Sequence, residues 1–157
     1  MSTPKQLADR LREVILNGTF IAFTNFKDQL DQVTLQQANQ KVGSLNTIAL
    51  LTFHINYYLG GVNNFFEKGA LEIRDKYSFD MPEIKSNEDW QKLKQALYTN
   101  AETFATHVEA LDENILQKDF VDPKYGPYIR NINGMIEHAY YHLGQVSLLK
   151  KMIEIEC

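Results

Sequence analysis

The reading of one stretch decides the fold: Glu137-His138-Ala139-Tyr140-Tyr141-His142-Leu143-Gly144-Gln145, within the segment 131–151. At 100° per residue, His138 and His142 stand one turn apart on the same side of a helix. Met135, Val146, Leu149 and Ile153 gather around them with Asn131, whereas Asn133, Glu137, Tyr140, Lys151 and Glu154 fall on or beyond the stripe's edges. Two imidazoles inside an apolar stripe must satisfy both ring nitrogens away from water. A shared divalent ion is one solution, because i,i+4 spacing lets two imidazoles reach one metal. Core histidines bonded to backbone or tyrosine are the other.

The second long apolar repeat, from the break at Gly43-Ser44 to Gly69, carries a third histidine of the same kind. Its stripe runs through Thr47, Leu50, Leu51, His54, Tyr58, Gly61, Val62 and Phe65, with Asn56, Gly60, Asn63 and Glu67 opposite. A first amphipathic helix starts at Ser2-Thr3-Pro4, repeats at Leu7, Leu11, Val14 and Ile15, and stops at Gly18. A third begins at the cap Ser86 with acids behind it and runs through Leu93, Leu97, Ala101, Phe104, Val108, Leu111 and Ile115. Trp90 packs at its start; His107 lies off the stripe, and Glu102, Glu109 and Asp112 read as a solvated face. Residues 19–41 read as a connection holding one or two short helical pieces, one of them capped by Thr34.

The connection 69–86 is long for a compact domain. At ~3.3 Å per residue it spans a whole helix, which lets the second and third helices lie parallel. Four amphipathic helices without an alternating strand pattern predict an all-α four-helix bundle forming a single domain over 1–157. Sixteen basic against twenty acidic residues, a net charge of −4, leave no footprint for nucleic acid. No apolar run reaches the ~20 residues of a membrane span. The polar N-terminus lacks the apolar core of a signal peptide, so the expected location is cytoplasmic. The single cysteine, Cys157, forms no internal disulfide. There is no Gly-rich phosphate loop, no Gly-x-Ser-x-Gly and no Cys-x-x-Cys, which leaves serine and cysteine nucleophiles without support.

A histidine in the second helix followed in the last by His-x-x-x-His-x-Gly-Gln resembles the DinB-like (damage-inducible) superfamily of metal-binding bundles. The matching residues are His54, then His138, His142, Gly144 and Gln145. The resemblance implies an up-down-down-up bundle with a long crossover between helices 2 and 3, and metal ligands His54, His138 and His142. It implies a divalent ion such as nickel, zinc or manganese, and for some members a transferase activity using a low-molecular-weight thiol (bacillithiol, mycothiol or glutathione). Three neutral imidazoles leave a coordination position open, as in catalytic sites. Gln145, Tyr57 and Tyr58 lie a turn from a ligand and are placed to orient the imidazoles. Tyr57, Tyr58 and Tyr141 are placed to wall an apolar pocket for a small-molecule substrate. Glu137, about 100° from His138, is not placed to act as a base at the ion. A metal-dependent hydrolase and a non-catalytic metal- or partner-binding bundle are the alternatives. The wide apolar arcs formed by Ile48, Ile55, Leu59 and Phe66, and by Ile129, Ile132, Ile136 and Leu143, predict a homodimer, with burial under the long connections as the alternative.

Overall fold

A computed structural model describes residues 2–155 and shows how local signals set the helices. Thr3 accepts from the Gln6 N–H at 3.2 Å, and the Gln6 side chain accepts from the Thr3 N–H at 2.9 Å. This reciprocal cap, with Pro4 at the first helical position, opens α1 (Pro4–Arg12). The helix then widens into a π turn at Glu13–Asn17 and stops at Gly18. The 19–41 connection carries two short helices, α2 (Phe26–Leu30), capped by Asn25, and α3 (Leu35–Asn39), capped by Thr34. Before α2 the chain passes through the left-handed region at Ala22 and Phe23.

The next helix, α4 (Ile48–Lys68), begins three residues later than the Ser44 break proposes. The Thr47 hydroxyl, not that of Ser44, accepts from the Leu50 N–H. Gly43, at φ +54°, and the Leu45 N–H bond to the Val42 carbonyl spend the first polar pair on a turn. Gly69, at φ +76°, closes the helix. Residues 69–86 follow with one 3-10 turn, Asp75–Tyr77. Then α5 (Asn87–Glu109) starts under a reciprocal Ser86–Asp89 cap, so Leu111 and Ile115 lie beyond its end. Trp90 is buried and its indole N–H donates to the Val33 carbonyl at 2.9 Å, fastening α5 to the chain between α2 and α3. The last helix is α6 (Tyr128–Ile155). Among the described residues there is no strand, only an isolated bridge between Asp119 and Pro127.

Side-chain pairings give the directions. Asn63 donates to the Asn100 carbonyl at 2.9 Å, and Phe66 lies against Phe104 and His107, so position rises together along α4 and α5. Along α4 and α6 it runs oppositely, from Phe66 beside Tyr128 to His54 beside His138 and His142. Arg12 of α1 ties to Glu102 at 2.8 Å and Glu109 at 2.9 Å on α5. Those two glutamates are therefore an interhelical clamp rather than a merely solvated face.

One apolar cluster joins these helices. It absorbs the residues that made the arcs wide: Ile48, Ile55, Leu59, Ile132, Ile136 and Leu143 are all buried within the chain. Each such burial contributes about 1.5–3 kcal/mol within one chain, while Phe66 and Ile129 of the same arcs are half-buried against the cluster. Asn63, expected opposite the buried face, is itself buried because α5 covers that side. No described helix is long and apolar enough to cross a membrane.

Candidate metal centre

The antiparallel packing of α4 against α6 brings the three histidines together. His54 is buried near the middle of α4, and His138 and His142 project from α6. Their nitrogens converge: His138 Nε2 lies 3.1 Å from His54 Nε2 and 2.9 Å from His142 Nε2. One ligand atom from each falls within 4.8 Å of the others.

The outer nitrogens decide what the inner ones offer. His54 Nδ1 lies 3.2 Å from the Ser78 carbonyl, which only accepts, so Nδ1 carries the proton and Nε2 a lone pair. His142 Nδ1 lies 2.6 Å from Gln145 Oε1, which fixes the same tautomer. Two lone pairs therefore face His138 Nε2, whose single proton cannot point straight at both. A cation among the three nitrogens removes the conflict. Nitrogens each ~2.1 Å from one ion stand about 3.0 Å apart at an angle of about 90° and about 3.4 Å apart in a tetrahedron, so the 3.1 and 2.9 Å separations match the first more closely.

Burial holds the imidazoles neutral. Desolvation lowers the pKa of His138 to about 4, with the neighbouring His142 and His54 adding to the effect. Desolvation also lowers His54 and His142, against the opposing hydrogen bonds to Ser78 and Gln145. Neutral rings with fixed tautomers are the state a metal requires.

The surrounding residues divide the expectations. Gln145 is where the sequence puts it, one turn on from His142 and bonded to it. Tyr58 stands edge-on to His54 at 5.1 Å and to His138 at 5.4 Å, with its hydroxyl donating to Asp75 at 2.9 Å. Tyr57 touches no histidine through its hydroxyl. It accepts from the Arg74 N–H at 2.9 Å and donates to the Arg74 carbonyl at 3.0 Å, pinning the 69–86 connection. Tyr141 is 65% exposed and meets only the edge of His142, at 4.9 Å. Of the three tyrosines, only Tyr58 lines a cavity beside the histidines. Glu137 is exposed, as its angle on the helix requires, and His107 lies away from the centre, stacked on Phe66. Cys157 lies outside the described residues.

Three contributors come from the connection 69–86, where periodicity is silent: the Ser78 carbonyl, the Asp75 carboxylate and Phe79, whose ring stacks on His54 at 4.0 Å. The legible hint was only the unusual length of that connection. Gly61 lets it approach, for a Cβ there would collide with Ile73. Comparison of the chain with family models, curated proteins and solved structures gives no match.

Proposed function

We propose that the chain is a DinB-like four-helix bundle that holds one divalent ion, such as nickel, zinc or manganese, on His54, His138 and His142. Its proposed activity is conjugation of an intact low-molecular-weight thiol to an electrophile: the sulfur bonds to the electrophilic carbon as that carbon's leaving group departs, and the thiol proton passes to solvent. The up-down-down-up order is supported by the pairings of α1 with α5, α4 with α5 and α4 with α6. The observation that carries the metal is the meeting of two fixed lone pairs at His138 Nε2. When bound there, such an ion keeps a thiol or water deprotonated near neutral pH.

The chain's own residues supply position. Ser78 and Gln145 hold the rings of His54 and His142 in the ligating tautomer. Phe79 covers one face of His54 and Tyr58 closes the side toward His138, which limits water at the imidazoles. With its one cysteine at position 157, the chain supplies no thiol from the elements that hold the histidines, so the reading draws the nucleophile from solution.

A second reading, hydrolysis by an activated water, draws on the Asp75 carboxylate beside Tyr58. The apolar surroundings of Tyr58 favour the first. The test is turnover of bacillithiol, mycothiol, glutathione or cysteine with an apolar electrophile such as monobromobimane. Thiol consumption above the uncatalysed rate is expected with metal-loaded protein and not with metal-free protein or His138→Ala. Equal rates in all three would end the transferase reading, and metal-dependent ester cleavage without thiol would establish the hydrolase.

A further inference from the structure

Beside the histidines, on the far side of Tyr58, lies a cavity of about 190 Å³. Helix α4 contributes Val62 and Phe66 to it, α5 Phe104, α6 Ile132 and Met135, and the 69–86 connection Ile73. Asp75 and Tyr125 in its lining are exposed, so it opens to solvent. An apolar cavity of about 150 Å³ already accepts benzene, so this one has room for a substituted single ring. Phe120 and Tyr125 of the connection after α5 complete the lining, so five separate segments shape it.

Its polar end is as specific as its walls. Tyr58 is the shared partition, its ring edge-on to His54 and His138 and its hydroxyl held by Asp75, which also lines the cavity. The Asp75 carboxylate accepts at that end. A ring bearing a hydroxyl or amine is therefore matched, and a ring bearing a carboxylate is repelled. Met135 sits one turn before His138 on α6, and Tyr58 stands between the cavity and the histidines, which do not themselves line it.

The geometry points to this cavity as a binding site for an uncharged single-ring molecule, entered with its donor group toward Tyr58 and Asp75. That the ring is the electrophile's apolar part rests on the proposed transfer reaction; the binding itself does not.

The probes are toluene, p-cresol and benzoate, added to protein labelled at the methionine methyl groups and followed by NMR. Toluene and p-cresol should shift the Met135 methyl saturably, with Kd on the order of a millimolar or tighter. Met81 and Met152, which do not line the cavity, should stay in place. Benzoate should bind about 10-fold more weakly or not at all, about 1.4 kcal/mol or more. Val62→Phe and Leu71→Trp should abolish the Met135 response. The second alters a half-buried loop residue on the same wall and serves if the first does not fold. His142→Ala should release divalent metal and keep the response to toluene, so the metal reading and the cavity reading fail separately. Absence of any Met135 shift in the wild type would overturn the inference. So would an undiminished shift in folded Leu71→Trp, or benzoate binding as tightly as p-cresol.

Discussion

At the scale of single residues, the centre depends on which nitrogen of each imidazole carries the proton. Gln145→Leu removes the acceptor that fixes the His142 tautomer without touching a ligand atom. Loss of such a partner typically weakens metal binding 10–100-fold, and equilibrium dialysis against zinc or nickel should show a drop of that order. His107→Ala, distant from the centre, should leave the affinity unchanged. Acidity acts on the same nitrogens. The folded pKa of His138 is about 4, below the ordinary value of ~6.5 expected once unfolded. Between those limits the unfolded chain binds more protons, so the stability of the metal-free protein rises with pH across that window. It should fall as pH drops from ~6.5 toward 4 and level off below. Urea unfolding at pH 7 and pH 5 reads the loss, and His138→Gln should show a smaller one; a larger loss in the variant would contradict the assignment.

Individual elements were legible where a local chemical signal stands alone. The caps at Thr3, Thr34 and Ser86 sit where the sequence places them, because a hydroxyl three residues ahead of a Gln or Asp has few competing uses. The start of α4 was misplaced because two hydroxyls, Ser44 and Thr47, compete and the choice rests on the turn around Gly43. Periodicity placed His54, His138 and His142 on apolar stripes, and the resemblance implied that the three act as one set. The Ser78 carbonyl was not legible, since a backbone acceptor in a connection leaves no mark on residue type. Likewise Glu102 and Glu109 looked solvated because their partner, Arg12, lies about 90 residues away in sequence. Thr47→Ala should cost about 1 kcal/mol through loss of its cap, measured by the chemical-denaturation midpoint. Gly61→Ala tests a different element. Its methyl meets the Ile73 side chain, which must give way and takes its packing of the 69–86 connection against α4 with it. Faster hydrogen exchange at Ser78 and Asp80 is expected together with weaker metal binding. Unchanged exchange would show that the connection does not depend on that close approach.

Across the whole molecule, α5 holds α1 and α4 while α6 crosses back along α4, and the long 69–86 connection lies over the place where α4 and α6 present histidines. In the proposed function this arrangement holds one ion. The most direct measurement is titration of metal-free protein with zinc, nickel and manganese by calorimetry, with His138→Ala in parallel. The account predicts one ion per chain for the wild type and loss of that binding in the variant, with helical content by circular dichroism retained. Absence of stoichiometric binding by any of the three metals, or full binding by folded His138→Ala, would contradict it.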